Sequence, residues 1–498
     1  MSSVERLRQA TARTASANGA KDATLGEYGA LVNGRWLKTG DAIEVRSPYD
    51  DSLVAVIHRA GPDEIEDAIA AAVKAFKVTR KLPSWQRAEI LEKISNGIAQ
   101  RREEFARTIA LEAGKPIRTA RVEVDRAVFT FKVAAEEAKR IYGEIVPLDW
   151  IPGNDGRVAH IQRVPLGPVS GISPFNFPLN LVAHKVAPAL AAGCPILLRP
   201  ATQTPVSSLK LGELVLESGW PEGGFAVIPS ATQVASPLIE DDRLKKLTFT
   251  GSPAVGWALK ARAGRKRVTL ELGGNAGNII HKDADVAYAA GRVVMGGFSY
   301  AGQSCISVQR VYAHTDIYEG FVDELIPRTK ALKVGDPLDE ATDVGPLIDR
   351  GAAERVEEWL KEAVAQGAEV LTGGERDGNL WQPTVLASVE DDMRISCQEV
   401  FAPVVGLYRY SDVQQAIKAV DTSEFGLQAG LFTNDWNIIQ DAFDRIEVGG
   451  LMINDVSSYR VDHMPYGGVK DSGIGREGLR YTIEEMTEMK LLTFNRPG

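Results

Sequence analysis

Short apolar runs alternate with helical stretches between residues 167 and 272, and this alternation constrains the fold more than any other feature of the sequence. The runs lie at residues 167–172, 195–198, 225–228, 247–250 and 268–272. Such alternation is typical of a parallel sheet with crossover helices. We therefore predict an α/β fold whose first sheet belongs to a nucleotide-binding domain. No Gly-x-Gly-x-x-Gly follows any of these runs, so a cofactor must bind without the usual dinucleotide fingerprint.

The regions on both sides of this segment have patterns of their own. Residues 62–141 are rich in Ala, Glu, Lys and Arg with helical periodicity, which predicts mostly helix. Residues 273–464 form a second α/β region, with candidate strands at 308–313, 404–410 and 430–432. The final residues, 486–494, predict a strand that pairs with residues 143–151 or with another subunit.

One helix inside the first α/β segment carries clear start and stop signals. Thr204 can cap it, Pro205 occupies the first helical position, and Gly219 ends it. Leu211 and Leu214 share one of its faces. We expect a buried crossover helix here.

Composition excludes several classes of protein. The chain has 498 residues, which is more than one hydrophobic core supports, and its 44% hydrophobic and 25% charged residues are those of an ordinary globular protein. A net charge of -9 opposes general attraction to nucleic acids or anionic lipid surfaces. Residues 1–24 are a polar tail without the apolar segment of a secretory signal. No later stretch is apolar for long enough to span a bilayer, and we expect a cytoplasmic protein.

The three cysteines are too few and too scattered for a disulfide framework, and no metal-ligand spacing is present. Cys305 lies in Gly302-Gln303-Ser304-Cys305-Ile306, where small and polar neighbours leave a thiol approachable. It is a candidate nucleophile, and the alternative is a buried structural cysteine. Cys194 begins an apolar run and belongs to the core, while Cys397 has no base beside it in sequence.

Two polar residues lie where strands are predicted to end. Glu271 ends one run and precedes Gly273-Gly274, which places a half-buried carboxylate at a strand terminus, as suits a general base. The alternative is a salt-bridged surface glutamate. Asn176 follows another run between Pro174 and Pro178, and a rigidly held amide donor is what an oxyanion hole requires, although a turn asparagine is the alternative.

A third strand end offers a site for phosphate. In Phe249-Thr250-Gly251-Ser252 the chain passes from a predicted strand into a predicted helix. Ser252 and free backbone N–H groups at the helix start can hold a pyrophosphate.

Taken in order, these motifs resemble those of the aldehyde dehydrogenase superfamily. The matching motifs are Asn176 in PFNFP, Lys185 on the following helix, Gly251-Ser252 in FTGS, Glu271-Leu272-Gly273-Gly274, Cys305 in GQSC, and Glu399-Val400-Phe401-Ala402-Pro403. The resemblance spans roughly residues 31–493. Each motif is weak alone, but six in the same order are specific.

The resemblance implies a protein of three parts that assembles as a homodimer or homotetramer. We assign residues 25–145 and 167–272 to a cofactor-binding domain and residues 273–483 to an α/β catalytic domain. A small β oligomerisation element is expected from residues 146–166 and 484–498. These boundaries are expectations drawn from the family.

The resemblance also implies roles in NAD(P)-dependent oxidation of an aldehyde to an acid. Cys305 attacks the aldehyde, and Asn176 holds the developing oxyanion together with the Cys305 backbone N–H. Glu271 activates the water that hydrolyses the thioester, and Lys185 is a further catalytic residue. Family members that pass the acyl group to coenzyme A typically lack a carboxylate at position 271, so its presence favours hydrolysis.

The cofactor contacts implied by the resemblance carry a departure at position 202. Many NAD-using members have Lys-Pro-Ala-Glu where this chain has Arg199-Pro200-Ala201-Thr202. Thr202 cannot repel a 2′-phosphate and Arg199 can pair with it, so either NAD or NADP fits and NADP or dual use is favoured. The full set of expected cofactor contacts is Ser173, Pro174, Phe175, Arg199, Thr202, Ser230, Gly251, Ser252, Leu272, Glu399 and Phe401.

Two arginines bear on the substrate. Arg126 and Arg460 match positions that face the substrate tunnel in the family and are usually apolar there. A desolvated guanidinium needs an anion, which predicts a short aldehyde bearing a phosphonate, phosphate, sulfonate or carboxylate. The alternative is that the arginines pair with Asp125 or Asp462. The expected substrate contacts are Arg126, Arg460, Ser304 and His463.

The sequence also allows three alternative functions. A small neutral aldehyde such as lactaldehyde is the first alternative. A non-catalytic protein on the same fold is the second, but it is opposed by the presence of Cys305, Glu271 and Asn176 together. Thioester-forming or reductive acyl chemistry is the third.

Overall fold

The structure is a computed structural model that describes residues 24–495. Most of the polar tail predicted at residues 1–24 therefore lies outside the described residues. The helical region is confirmed as four consecutive helices, Pro62–Thr79, Ser84–Gln100, Arg102–Ala113 and Ile117–Glu137. Within the described range, no helix is both long and apolar enough to cross a membrane.

The first sheet confirms all five strands predicted between residues 167 and 272. Its parallel centre runs Arg267–Glu271, Lys246–Thr250, Val169–Ile172, Ile196–Arg199, Phe225–Val227. The antiparallel edge strands are Gly473–Ile474 on one side and Ala30–Val32 followed by Arg35–Leu37 on the other. The chain leaves strand Val169–Ile172 in one direction and later returns to its other side. This switch point opens a crevice at the carboxyl ends of the strands, where ligands bind in such sheets.

The connections of this sheet include the helices Asn180–Ala192, Val206–Glu217, Ser236–Glu240 and Pro253–Arg262. The helix predicted after Thr204 is present, but the predicted cap is wrong. The first N–H groups, from Val206 and Ser207, bind the carboxylate of Glu112 at 2.8 and 3.0 Å. Thr204 instead donates to the Phe175 carbonyl. A buried carboxylate from a distant helix satisfies these donors, and local sequence cannot reveal it.

The second sheet confirms the second α/β region. Its order is Glu369–Thr372, Thr384–Ala387, Val404–Tyr410, Val308–His314, Ala276–Ile280, Gln428–Phe432, Gly450–Ile453, parallel except for the first pair. The accompanying helices are Val286–Phe298, Tyr318–Lys330, Arg350–Ala365, Arg394–Cys397, Val413–Asp421 and Trp436–Arg445. Residues after Gly473 return to the first sheet and form helix Leu479–Glu485, and the domain boundaries given above remain a prediction.

A small antiparallel sheet corrects the pairing predicted for the C-terminal strand. Thr487–Asn495 pairs with Arg157–Pro165 over nine residues, from Thr487 opposite Pro165 to Asn495 opposite Arg157. Glu144–Pro147 lies on the other side of Arg157–Pro165 and does not contact the C-terminal strand in the ladder. The sequence placed the three segments in one sheet but chose the wrong neighbour, because a single apolar strand does not encode which edge it joins.

Separate hydrophobic cores fill the spaces around the two large sheets. One core contains Phe105, Phe131 and Leu190 from the helices packed on the first sheet. Another contains Phe321 and Phe432 from the second sheet and its helices. A third sheet of Gly26–Tyr28, Leu53–His58 and Ala42–Arg46 borders the first core. A smaller apolar cluster of Ile306, Leu427 and Tyr466 packs against Cys305.

Candidate active site

Connections between the two sheets bring the predicted catalytic residues together. Glu271 ends a strand of the first sheet, and residues 272–275 lead directly into strand Ala276–Ile280 of the second. Cys305 lies just before the adjacent strand Val308–His314. A side chain at Gly274 would place its Cβ 2.0 Å from the Cys305 carbonyl oxygen. Only glycine permits this approach, and it packs the Glu271 loop against the Cys305 loop.

The Cys305 loop has a strained backbone. Tyr300 and Ala301 adopt left-handed conformations with φ of 51° and 53°, which non-glycine residues rarely adopt. The side chain of Gln303 is buried and binds the Tyr300 and Pro346 carbonyls and the Ile348 N–H. These contacts hold the turn that presents the thiol.

The thiol of Cys305 is half-buried and has one polar side-chain neighbour at hydrogen-bond distance. Its sulfur lies 3.0 Å from the hydroxyl of Tyr466. Burial raises the pKa of Cys305 to about 12, and Tyr466 opposes this shift only in part. The thiol is therefore protonated at neutral pH in the free protein and must lose its proton to act as a nucleophile.

Glu271 is more buried than the half-buried carboxylate that we predicted, with only 2% of its surface exposed. Neither of its carboxylate oxygens has a hydrogen-bond partner in the described residues. Burial, followed by the nearby Glu477, raises the pKa of Glu271 well above its usual value. A carboxyl group with a raised pKa is suited to accept a proton near neutral pH.

Asn176 is buried in the loop between strand Val169–Ile172 and helix Asn180–Ala192. Its Nδ2 donates to the carbonyl of Gln303 at 3.0 Å, two residues before Cys305. The structure thus brings the predicted amide beside the predicted nucleophile. One Nδ2–H remains available for an oxyanion, as the proposed role requires.

A continuous chain of charged groups crosses the site next to these residues. We call it the charged chain; in order of contact its members are Lys185, Glu477, Arg460, His184, Asp462 and Arg126. Lys185 donates to Thr250 at 2.6 Å and lies 3.3 Å from Glu477. Burial acts to raise the pKa of Glu477, but Lys185 and Arg460 oppose it, and the pKa falls to about 2.

The two arginines both contact protein carboxylates. Arg126 binds Asp462 through two hydrogen bonds of 2.7 and 3.1 Å, which agrees with one of the alternatives left open by the sequence. Asp125 instead pairs with Arg102. Burial acts to raise the pKa of Asp462, but the bonds from His184 and Arg126 hold it well below its usual range.

Arg460 is arranged differently from Arg126. Its Nη2 donates to Glu477 at 3.0 Å and its guanidinium lies 3.6 Å above the ring of Tyr466. Its Nε is buried and finds no hydrogen-bond partner in the part of the chain that the structure describes. One strong donor therefore remains free beside the tyrosine that contacts Cys305.

The remaining expected substrate contacts lie around this region. Ser304 is half-buried beside Cys305. His463 is exposed and contacts the edge of Phe129, on the helix that carries Arg126, with ring centroids 5.9 Å apart. Ser304 therefore lies beside the nucleophile, and His463 packs against the helix that carries Arg126.

The expected cofactor contacts line the crevice at the switch point of the first sheet. Ser252 is exposed at the start of helix Pro253–Arg262, and Gly251 donates to the Glu271 carbonyl. Thr202 is exposed, while Arg199 donates to the Ser230 carbonyl and to the Thr232 hydroxyl. Arg199 has no carboxylate partner among residues 24–495. A free helix start and an unneutralised guanidinium form a donor set that fits a phosphorylated nucleotide.

Other expected contacts lie between this crevice and Cys305. Glu399 accepts the Gly274 N–H at 2.9 Å, and burial raises the pKa of Glu399 to about 7. Phe401 has a left-handed backbone, with φ of 52°, and its ring meets the edge of Phe175. Ser173 and Leu272 are buried, and Pro174 is half-buried.

Three residues of the site were missed by sequence analysis: His184, Tyr466 and Glu477. Each carries an ordinary side chain with no nearby motif, and Tyr466 is 161 positions from Cys305 in sequence. The one available signal is Gly467-Gly468 after Tyr466, which marks a closely packed turn. Of the other cysteines, Cys194 is buried in the first core as expected, and Cys397 ends a short helix.

The fold and the thiol site indicate one class of enzyme, and comparison with known proteins identifies it. The chain matches the sequence profile of the aldehyde dehydrogenase family over residues 36–492. It belongs to that family.

Individual relatives cover nearly the whole chain. It is 48% identical to 3-sulfolactaldehyde dehydrogenase of Priestia aryabhattai over 94% of this chain and 98% of that protein. It is similar to the crystal structure of aldehyde dehydrogenase 21 from Physcomitrella patens in complex with the reaction product succinate, with a TM-score of 0.93, 44% identity, and coverage of 95% and 98%. It is also similar to glyceraldehyde-3-phosphate dehydrogenase GapN from Methanocaldococcus jannaschii complexed with NADP, with a TM-score of 0.89, 38% identity, and coverage of 92% and 100%.

Proposed function

We propose that this protein oxidises a short aldehyde bearing an anionic group to the corresponding carboxylic acid, with NAD or NADP as the hydride acceptor. The observation that carries the substrate class is the buried Nε of Arg460, which lacks a partner and lies beside the Tyr466–Cys305 contact. A buried guanidinium donor without a partner is costly, and an anionic substrate group would satisfy it.

The charge balance of the charged chain supports the same conclusion. It contains three cations, Lys185, Arg126 and Arg460, against the carboxylates of Asp462 and Glu477. Burial and the neighbouring Arg460 lower the pKa of His184, so this imidazole adds no positive charge near neutral pH. One positive charge is left over. We therefore expect a substrate group with a single negative charge, such as a sulfonate or carboxylate, to fit better than a dianion.

The residues of the active site described above carry out the successive steps of the proposed reaction. The Cys305 thiol gives its proton to solvent and its sulfur bonds to the aldehyde carbon, while Asn176 Nδ2 together with the Cys305 backbone N–H binds the resulting oxyanion. The bound nicotinamide supplies a hydride acceptor, and loss of hydride leaves a thioester on Cys305. The Glu271 carboxylate takes a proton from water as the water attacks that thioester and releases the acid, and the same proton then returns to the Cys305 sulfur and restores the thiol.

Cofactor choice follows from the first-sheet crevice. Arg199 and exposed Thr202 offer a cation and no carboxylate at the position where a 2′-phosphate would bind. This favours NADP or dual use. The cofactor of GapN, which is NADP, is consistent with the proposal.

Two of the relatives support an anionic substrate, whereas the lactaldehyde dehydrogenase of Methanococcus aeolicus, 38% identical, acts by its name on a neutral aldehyde. 3-Sulfolactaldehyde dehydrogenase acts, by its name, on a sulfonate, and the Physcomitrella patens enzyme was crystallised with the dicarboxylate succinate. Within this group, the free donor on Arg460 gives a reason for the preference in this chain.

An exposed sheet edge bears on how the protein assembles, and the catalytic thiol bears on its cellular compartment. The strand Thr487–Asn495 is an open sheet edge with exposed Met489, Leu491 and Phe494, which supports a homodimer or homotetramer. A catalytic thiol needs a reducing environment, so the cytoplasm is the compartment we propose.

The direct test is a set of aldehydes of equal length that differ only at the far end. The ends are sulfonate, carboxylate, phosphonate and an uncharged hydroxyl, each tested with both cofactors and without coenzyme A. We expect the singly charged aldehydes to have kcat/KM at least about tenfold above that of the neutral one. The phosphonate should improve relative to the sulfonate as the pH falls, because the dianion binds one proton and becomes singly charged. A preference for the neutral aldehyde would contradict the proposal, and acid release that requires coenzyme A would contradict hydrolysis.

A further inference from the structure

A buried ion pair outside the charged chain lies directly behind the Asn176 and Cys305 loops. Lys115, between two helices, contacts Glu123 on helix Ile117–Glu137, and both side chains are fully buried. Neither residue has a role in the steps above. Burying two charges is expensive, and a pair of apolar residues would usually be as stable or more stable. The pair therefore needs an explanation other than stability.

Glu123 fixes the loop that carries Asn176. Its Oε1 accepts the backbone N–H groups of Leu179 and Asn180 at 2.9 and 3.1 Å, at the start of helix Asn180–Ala192. These are donors that the helix itself leaves unsatisfied, and a negative charge is favourable at a helix start. The anchored residues follow Asn176 by only three and four positions.

Lys115 contacts an aromatic ring from the Asn176 loop and another from the Cys305 loop. Its ammonium group lies 3.6 Å from the ring centroid of Phe177 and 4.4 Å from that of Tyr300. Phe177 follows Asn176 directly, and Tyr300 is the strained residue of the turn before Cys305. The cation is therefore held between the two loops by one aromatic ring from each.

The two loops meet at a single hydrogen bond in front of the pair, from Asn176 Nδ2 to the Gln303 carbonyl. The Tyr300 hydroxyl adds a second tie, since it donates to the Ala113 carbonyl at 2.9 Å, two residues before Lys115. Movement of either loop would change the separation between the Asn176 amide and the Cys305 sulfur.

We propose that Lys115 and Glu123 are positioning residues that set the Asn176 amide relative to Cys305 for oxyanion binding. Glu123 orients the loop through the helix start, and Lys115 holds the aromatic neighbours of both loops against one another. The inference rests on the proposed acyl chemistry at Cys305. It assigns a catalytic consequence to residues that touch neither substrate nor cofactor.

The test removes the charges without removing the packing. Glu123→Gln keeps an oxygen for the two N–H groups, and Lys115→Met keeps an unbranched chain between the aromatic rings. The double variant carries no unpaired buried charge and should fold even if a single variant does not. Lys210→Met with Glu104→Gln is the matched control, because that ion pair joins helices Arg102–Ala113 and Val206–Glu217 instead.

The measurement is the burst of NAD(P)H in the first turnover, together with thermal unfolding. We expect the Lys115/Glu123 double variant to unfold near the wild-type temperature but to form the thioester about ten- to a hundredfold more slowly, with little change in KM. In an Asn176→Ala background the same double variant should add almost no further loss, because the amide it positions is gone. The control pair should leave the burst unchanged.

The outcomes separate the two proposals. If wild type forms no NAD(P)H with any aldehyde, the proposed function fails. If wild type forms NAD(P)H and the double variant forms it equally fast in the first turnover, only the positioning role is overturned. An equal additional loss in the Asn176→Ala background would also overturn it, because the damage would then not act through the amide.

Discussion

Two halves of the same site differ in how completely their carboxylates are hydrogen-bonded. On the nucleophile side, formed by Cys305, Tyr466 and Glu271, the Glu271 carboxylate has no hydrogen-bond partner in residues 24–495. On the charged chain, Glu477 and Asp462 each contact two or more donors. A carboxylate without hydrogen-bond partners, such as Glu271, can change its protonation during a reaction. Paired carboxylates such as Glu477 and Asp462 keep their negative charge. We therefore assign the chemical steps to the nucleophile side and substrate recognition to the charged chain.

Loss of the nucleophile is the largest expected effect. Cys305→Ala should reduce aldehyde oxidation to background, because no other described thiol lies in the site, while cofactor binding measured by fluorescence stays detectable. Retained turnover would remove the nucleophile side from the mechanism.

Glu271→Gln should separate the two halves of the reaction. The thioester can still form, but water is no longer activated, so a burst of NAD(P)H is followed by a rate lower by roughly 10²- to 10⁴-fold. Stopped-flow absorbance at the nicotinamide band resolves the two phases. Steady-state turnover equal to wild type would show that another group deprotonates the water.

The raised pKa of Glu271 predicts the direction of the pH dependence. Because burial and Glu477 keep this carboxyl protonated to a higher pH than usual, its base form increases as the pH rises through the raised pKa. Hydrolysis of the thioester should therefore speed up with pH over that range, in single-turnover assays. In Glu271→Gln this rising limb should disappear, and a limb that persists would belong to a different group.

Arg460→Leu tests the recognition half with a smaller effect. A hydrogen bond to a charged group contributes about 1.5–3 kcal/mol, so kcat/KM for the anionic aldehyde should fall about ten- to a hundredfold. A neutral aldehyde of the same length serves as the control, since loss of the Arg460 hydrogen bond to Glu477 would harm both substrates equally. Equal losses on both would return Arg460 to a structural role.

Thr202→Glu should have the smallest effect and act outside both halves. A carboxylate beside Arg199 would repel the 2′-phosphate, but position 202 is exposed and its charge is screened, so the ratio of NADP to NAD efficiency should fall only about several-fold. The ratio is measured with one aldehyde at saturation. No change would mean that position 202 does not face the ribose.

The sequence by itself determined five strands of the first sheet, three strands of the second and the identity of the motif residues. The five strands of the first sheet were predictable because their apolar runs are local and separated by helical periodicity. Cys305, Glu271 and Asn176 were predictable because each lies in a short motif whose order along the chain resembles that of a family. The class of enzyme therefore followed from the sequence.

Only the tertiary structure decided what each of these residues touches. The C-terminal strand could have joined either neighbour, and its pairing with Arg157–Pro165 depends on how the whole small sheet packs. The sequence offers Asp462 to both arginines, yet it binds Arg126 and the Nε of Arg460 stays free. Tyr466 reaches Cys305 from 161 residues away. Burial and long-range contacts set these charges and pKa values, and local sequence does not encode either.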